Sequence, residues 1–381
     1  MRIFGYLKDF SHLSFDEMEF NKLDALVLSQ ITYASFEKFF DDGKTSIRLG
    51  DIDGERLAAK GAFISSLDAF KNKRMIREMA ASRRYKNIII RDCEDHFSHH
   101  EENQFYAVTY QINDDFAVIA FRGTDMTLAG WKEDCLLAIY DQVKAQAQAD
   151  EYVANKAVKN YKGKFIITGH SKGGNLSFYS ALTLDKKHLP NLICAYSFDG
   201  PGFKDGIKNF PNYEEVKDRL IKFITYNNII GSIFEDVDNP KIVFSAGVLG
   251  GHLLYDWQMS KKNVDFRYAR NVSLPSRISR EKFTLWVSSL TTKEKLVTID
   301  AFFKIFGDNE TVYELFTNGL NNFKNAYRAI KSYSKEEQEI LKRTFKTLFL
   351  FIVNEKKMRL LNASSERKDA LDPDDKDDGE E

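Results

Sequence analysis

Residues 165–176, with the sequence FIITGHSKGGNL, constrain the fold more than any other part of the chain. An apolar run leads into Gly169-His-Ser171-Lys-Gly173, and an amphipathic helical pattern follows over residues 175–184. A sharp strand-to-helix turn holds its central serine in a strained backbone, and the flanking glycines avoid clashes with neighbouring chain. The hydroxyl then stands above the carboxyl end of a sheet, beside a helix N-terminus that favours developing negative charge. We therefore predict Ser171 as a nucleophile; the alternative is a capping serine in a glycine-rich turn.

The surrounding pattern predicts an α/β fold with a mostly parallel central sheet flanked by helices. Apolar runs alternate with helical stretches between about residues 160 and 245, which is typical of parallel strands covered on both faces. Residues 14–40 show helical spacing and predict a helix near the N-terminus. The strands are predicted at residues 86–91, 105–110, 116–121, 165–168, 192–198, 222–226 and 241–244, and further helices at 143–161 and 175–184.

The chain divides into three predicted regions. Residues 1–275 form the α/β domain with its helical N-terminal segment. The pattern changes near Pro275, and residues 276–362 read as a helical C-terminal extension. Residues 363–381 are acidic and short of apolar side chains, so we predict a disordered tail.

Two histidines follow Ser171, and one of them is the candidate base. A serine nucleophile needs a base, an orienting acid and two oxyanion donors, and on this scaffold the chain order is serine, acid, histidine. His188 comes just after the helix that follows the turn, which places it on the far side of the sheet. His252 follows the strand at 241–244, where a loop could bring it back over Ser171. We therefore predict His252 as the base, the alternative being an ordinary loop histidine.

Several acids compete for the orienting role. Asp199 ends the strand at 192–198 and could reach His252, although an aspartate before Gly-Pro also commonly accepts turn amides. After the next strand the chain carries amides at positions 227 and 228, and Asp236 and Asp238 follow in a predicted surface loop. We favour Asp199 over Asp236 and Asp238.

The oxyanion donors are predicted from the two turns that flank the site. One donor is the backbone amide of Lys172, the residue after the nucleophile. The second comes from Phe121-Arg-Gly-Thr124, which follows the strand at 116–121. Its glycine allows close approach, and Thr124 offers an amide and a hydroxyl.

The FRGT and GHSKGG motifs, about 45 residues apart, resemble those of class 3 lipases among the α/β-hydrolases. Over roughly residues 1–300 the chain is most similar to an uncharacterised bacterial branch called Mbeg-like. The resemblance implies an α/β-hydrolase fold, Ser171 as nucleophile, His252 as base, and Thr124 with Lys172 as oxyanion donors. In class 3 lipases the acid commonly follows a later strand, at the position of Asn228 here, so either Asp199 has taken that role or the triad is impaired. The resemblance also places a lid at residues 126–136, where a fixed helix is the alternative.

Other patterns exclude several classes of function. The 55 basic and 56 acidic residues leave a net charge of −1, which gives no overall attraction to nucleic acid. The chain shows no signal peptide and no apolar run long enough to span a membrane, so we expect a cytoplasmic protein. Peripheral membrane contact through the aromatic residues at 345–351 stays open. The cluster at 92–101 matches no tetrahedral zinc spacing, and we predict neither a metal nor a cofactor.

The leading hypothesis is a serine hydrolase of lipase or esterase type. It would cleave a small-molecule or lipid carboxylic ester through Ser171, His252 and Asp199, by way of an acyl-enzyme. A second hypothesis is a catalytically impaired protein of α/β-hydrolase fold with a binding or regulatory role. A thioesterase or peptidase with the same apparatus is a third.

Overall fold

The computed structural model describes residues 1–59, 61–63, 69–98, 103–124, 132, 135–234, 236–247, 251–305, 330–344 and 346. Within these ranges the helices are α1 (Ile3–Phe10), α2 (Lys22–Ile31), α3 (Ala69–Ala80), α4 (Lys144–Tyr152), α5 (Lys172–Thr183), α6 (Tyr213–Val216), α7 (Leu274–Ser289) and α8 (Thr292–Ile305). The strands are β1 (Ser46–Arg48), β2 (Ile89–Ser98), β3 (Asn103–Asn113), β4 (Phe116–Phe121), β5 (Lys164–His170), β6 (Leu192–Phe198), β7 (Leu220–Thr225), β8 (Lys241–Val243), β9 (Met259–Ser260), β10 (Asp265–Phe266) and β11 (Tyr268–Ala269).

The main sheet has the described strands in the order β1-β2-β3-β4-β5-β6-β7-β8-β11, so neighbours in space are mostly neighbours in sequence. The first four strands pair antiparallel, β4 to β8 pair parallel, and β11 closes the edge antiparallel to β8. Phe121 lies opposite Gly169, and His170 opposite Phe198. The carboxyl ends of β4, β5 and β6 therefore meet at one edge, where a parallel sheet presents its ligand crevice.

Helices cover both faces of this sheet, as the alternating pattern predicted. One core contains α1, α2 and α3 with apolar residues of β2, β3 and β4, including Leu26, Met75 and Tyr110. The other contains α4 and α5, with Tyr152 and Phe178 among its buried residues. The central strands β4 and β5 are thus buried on both faces, which explains their continuous apolar runs. The predicted α/β class is confirmed: the sheet is mixed, and its central strands are parallel.

The N-terminal helix is shorter than the periodicity over residues 14–40 predicted. Helix α2 begins after Asn21, whose side chain accepts the Leu23 amide at 2.8 Å while the Asp24 carboxylate accepts the Asn21 amide at 3.0 Å. The preceding turn is held by the buried Arg84 guanidinium, which donates to the carbonyls of Met18 at 2.7 Å and Glu19 at 3.0 Å and pairs with Asp24. Carbonyls that accept from Arg84 are not available for helical hydrogen bonds, so the helix starts only afterwards.

The C-terminal region is helical where the structure describes it. Helix α7 begins at Leu274 after Ser273, whose hydroxyl accepts the Ser276 amide, so the pattern change at Pro275 is a helix start with proline in the first turn. Helix α8 packs on residues 330–344 through a small cluster that includes Ala301 and Leu341. The predicted boundary at 275/276 stays a prediction. The predicted tail at 363–381 and most of the aromatic stretch at 345–351 lie outside the described residues.

Asp150 joins α4 to α5 and has a shifted acidity. The Thr183 hydroxyl lies 2.5 Å from its carboxylate and 2.8 Å from the Tyr179 carbonyl. Burial raises the pKa of Asp150 from 3.8 to about 6, only partly opposed by the Thr183 hydrogen bond. Since the folded chain binds this proton more tightly than the unfolded chain, the ionised form of Asp150 destabilises the fold. The stabilising contribution of the neutral form is complete below pH 4 and is lost as pH rises through 6.

We therefore expect Asp150→Asn to stabilise the protein above pH 6 by about 1–2 kcal/mol, after allowance for partial solvent screening. An uncharged amide can donate to the Thr183 hydroxyl while that hydroxyl donates to the Tyr179 carbonyl, without any charge to desolvate. Urea unfolding at pH 4.5 and pH 7.5 measures the effect. The exposed Asp218→Asn is the control and should not alter the difference between the two pH values; an Asp150→Asn variant with an equal loss of stability at both values would contradict the assignment.

Candidate active site

Ser171 lies at the junction between β5 and α5 in a backbone conformation that few serines adopt. Its φ is 55° and its ψ −128°, in the positive-φ region where a Cβ is crowded. The Ser171 amide donates to the Phe198 carbonyl at 3.0 Å, which ties the turn to β6. A Cβ added to Gly169 would lie 2.2 Å from the Gly173 carbonyl oxygen, so this close turn requires glycine. The strained strand-to-helix turn predicted from the motif is present.

Asp199 occupies the corresponding place at the end of the neighbouring strand. It follows β6 with a φ of 53°, its amide donates to the Phe223 carbonyl at 2.8 Å, and only 1% of the residue is exposed. Ser171 and Asp199 are thus strained non-glycine residues at adjacent strand ends. Such strain persists only where the surrounding structure imposes it, and it concentrates at functional sites.

His252 is brought to Asp199 by the loop between β8 and β9. Its Nδ1 lies 2.6 Å from Oδ2 of Asp199, and 13% of the His252 side chain is exposed. The preceding Gly251, with φ at 79°, accepts hydrogen bonds through its carbonyl from the Trp257 indole at 3.1 Å and the Ser245 hydroxyl at 2.9 Å. The predicted approach of this loop to the sheet end is therefore observed. Because Nδ1 faces the carboxylate, Nε2 is the ring nitrogen left for a reacting group.

The other acids weighed for this position lie elsewhere or have other partners. The Asp236 side chain is only 5% exposed and forms an ion pair with Lys222 of β7, so the prediction that places this side chain at the surface is wrong. Burial raises the pKa of Asp236, although the ammonium of Lys222 opposes the shift. Asp238, two residues further on, is exposed, as expected for a surface loop. Asn228 follows β7, where another acid could have stood, and donates through Nδ2 to Oδ1 of Asp199.

His188 lies at the opposite edge of the sheet from Ser171. It precedes the short 3-10 turn Leu189–Asn191 that leads into the amino end of β6, whereas Ser171 follows the carboxyl end of the parallel β5. This position agrees with its exclusion as the base.

His170 is a buried site residue for which the sequence indicated no role. Its Nε2 lies 2.9 Å from the His252 carbonyl oxygen and its Nδ1 lies 2.9 Å from the Tyr33 hydroxyl, while its ring centre is 4.6 Å from that of His252. Burial lowers the pKa of His170, and the neighbouring His252 lowers it further, so the ring is neutral. Because a carbonyl only accepts, Nε2 carries the hydrogen and Nδ1 accepts from Tyr33. His170 thus holds the main chain of His252 without charge.

The predicted oxyanion turn lies against Ser171. A Cβ added to Gly123 would lie 2.4 Å from the His170 carbonyl oxygen and 3.0 Å from Cβ of Ser171, so the FRGT turn approaches the nucleophile as closely as glycine allows. Thr124 follows directly. Lys172 is the first residue of α5, directly after Ser171, and its buried ammonium donates to the Gln104 carbonyl at 2.7 Å.

Of the predicted lid at 126–136, the structure describes only Lys132, Cys135 and Leu136, so that prediction lies outside the described residues. In the described part of the chain, three or more His, Cys, Asp or Glu side chains nowhere gather closely enough to hold a metal ion. None of the described helices has the length and apolar character required to cross a membrane.

Comparison with known proteins identifies one family. The Mbeg1-like family model matches residues 79–304, which is more than half of the chain. Among solved structures, the crystal structure of M37 lipase matches with 15% identity and a TM-score of 0.34, over 56% of this chain and 70% of that one. A mutant form of MDLA from Penicillium cyclopium matches with 11% identity and a TM-score of 0.38, over 64% and 82%. No curated protein matches the chain.

Proposed function

The chain belongs to the Mbeg1-like family, and from the site at its sheet edge we propose that it is a serine hydrolase that cleaves a carboxylic ester. Membership confirms the Mbeg-like resemblance drawn from the FRGT and GHSKGG motifs. The observation that carries the proposal is the 2.6 Å contact between His252 Nδ1 and Asp199 Oδ2, at a strand end adjacent to the strained Ser171. A nucleophile, an orienting acid and a base, in this order along the chain, are the parts that acyl transfer needs on this scaffold.

In the proposed reaction the Ser171 hydroxyl attacks the ester carbonyl while Nε2 of His252 takes its proton. The backbone amides of Thr124 and Lys172 stabilise the oxyanion of the tetrahedral intermediate. The imidazolium then protonates the leaving alcohol as the C–O bond breaks, which leaves an acyl-Ser171. Water attacks this ester with His252 again as base, and the acid and the free serine are released. Asp199 keeps the Nδ1 hydrogen of His252 in place and stabilises the positive charge.

The catalytically impaired alternative was motivated by the amide at position 228. The contact of Asp199 with His252 is evidence against impairment, because it supplies the base with a carboxylate although position 228 carries none. We therefore favour an active enzyme with a small-molecule or lipid ester as substrate. We further propose a cytoplasmic location, with any membrane contact peripheral and no nucleic-acid partner.

We expect a fluorophosphonate probe to label the native full-length chain on Ser171, because only an activated serine attacks the phosphorus at a useful rate. Mass mapping of the labelled peptide locates the adduct. The same chain unfolded in urea is the control and should not be labelled. An unlabelled native chain would favour the binding or regulatory role, and a label on another serine would exclude Ser171 as the nucleophile.

A further inference from the structure

Asp199 uses its two carboxylate oxygens for two different partners. Oδ2 faces Nδ1 of His252 at 2.6 Å, and Oδ1 accepts a hydrogen bond from Nδ2 of Asn228. Asp199 is 1% exposed and Asn228 is 2% exposed. Because water has little access to either group, the Asn228 amide and the His252 ring are the donors that hold this carboxylate away from solvent.

The turn after β7 is built around this contact. The backbone amide of Asn228 donates to the Thr225 carbonyl at 3.0 Å, which fixes the start of the turn. A Cβ added to Gly231 would lie 2.5 Å from Oδ1 of Asp199 and 3.0 Å from Nδ2 of Asn228, so the returning chain closes over the hydrogen bond. The space beneath this turn is therefore filled by the Asn228 side-chain amide and the Asp199 carboxylate.

The side-chain carbonyl oxygen of Asn228, Oδ1, is evidence against a purely structural role for this residue. Its Oδ1 is buried and has no hydrogen-bond partner among the described residues. A buried unsatisfied polar atom costs about 1–3 kcal/mol, and an apolar side chain of equal size would avoid that cost. The hydrogen bond from Nδ2 to Asp199 is therefore the favourable contact that this side-chain amide makes at the site.

We propose that Asn228 is a positioning residue for the Asp199 carboxylate: its amide binds Oδ1 and so leaves Oδ2 directed at His252. This inference rests on the proposed function, in which Asp199 orients the base. The titratable groups that face the His252 ring from the described elements are Asp199 at the end of β6 and His170 at the end of β5. His170 is neutral, so the single negative charge at the pair is Asp199, and Asn228 contributes a donor without a second charge.

The test compares the native chain with variants that remove or change the donor. Asn228→Leu keeps the side-chain size but has no donor, Asn228→Ala removes the side chain beyond Cβ, and Asn228→Asp adds a carboxylate. Asn212→Ala is the matched control, since Asn212 is also 2% exposed and donates to the Leu184 carbonyl at 2.6 Å, away from the site. The ring titration of His252 is followed by NMR and assigned with His252→Gln, and the pH profile of kcat/KM for a nitrophenyl ester is recorded alongside.

Without its donor the Asp199 carboxylate can turn away from His252 and should stabilise the imidazolium less. In Asn228→Leu or Asn228→Ala, the midpoint of the His252 titration and the acid limb of kcat/KM should therefore both move to lower pH, by about half a unit. In Asn228→Asp the added negative charge should instead move both to higher pH, by about one unit or more. Asn212→Ala should lower the unfolding temperature and leave both midpoints unchanged.

Whichever of Asn228→Leu and Asn228→Ala folds decides the inference. If its His252 titration coincides with that of the native chain and only stability falls, Asn228 has a structural role alone and the inference is overturned. The NMR titration needs no turnover, so it separates this outcome from a failure of the proposed function. That failure would appear as a native chain with no ester turnover and no probe labelling.

Discussion

Replacing Ser171 with alanine should lower kcat for ester hydrolysis by about 10⁴-fold or more, with little change in unfolding temperature. Loss of the nucleophile alone removes nearly all that a serine triad contributes, because its members act as a unit. The fold should tolerate the change because alanine keeps the Cβ that the φ of 55° already accommodates. The measurement is steady-state turnover of a nitrophenyl ester at neutral pH by the full-length chain.

Ser180→Ala provides the matched control for this experiment. Ser180 lies on α5, which starts directly after Ser171, and its buried hydroxyl has no hydrogen-bond partner among the described residues. The control should therefore retain the turnover of the native chain. Equal turnover in Ser171→Ala and Ser180→Ala would remove the catalytic proposal.

The second large effect is expected at Asp199. Asp199→Asn should lower kcat by about 10²–10⁴-fold, because an amide can favour the wrong tautomer of His252 and cannot stabilise the imidazolium. The binding of a nonreactive ester analogue, measured by calorimetry, should change far less than kcat. Such a split indicates loss of transition-state stabilisation and not of substrate binding.

Asp238→Asn is the control for this variant, since Asp238 was the other loop acid considered and does not contribute to the buried pair of Asp236 with Lys222. It should behave as the native chain does. If Asp238→Asn lost activity while Asp199→Asn kept it, the acid would have been assigned to the wrong residue.

The sequence was most informative where short-range geometry decides the structure. The strands at 116–121 and 192–198 have the predicted bounds. The Gly-x-Ser-x-Gly turn was also predicted correctly, because the contacts that require its glycines lie within a few residues of the turn. The approach of His252 to Asp199 was predicted from topology, since the carboxyl ends of parallel strands meet at one edge.

Sequence reasoning failed where a distant partner decides the local structure. The helix expected over residues 14–40 is interrupted because Arg84 binds the carbonyls of the preceding turn. Asp236 was expected at the surface, but Lys222 of β7 draws it into a buried ion pair. His170 has its partners 137 and 82 positions away, at Tyr33 and at the His252 carbonyl, and no linear pattern reports such separations.

The sequence by itself determined the strained turn at Ser171, the alternation that builds a parallel sheet, and the short set of residues able to complete a catalytic site. Those features depend on backbone sterics and on hydrophobic periodicity, which act over a few neighbouring residues. Only the tertiary structure decided that Asp199 is the acid in contact with His252, and that Asn228 donates a hydrogen bond to the same carboxylate. That choice depends on which side chains meet in one buried space, and the distances there are set by packing between strands and loops remote from one another along the chain.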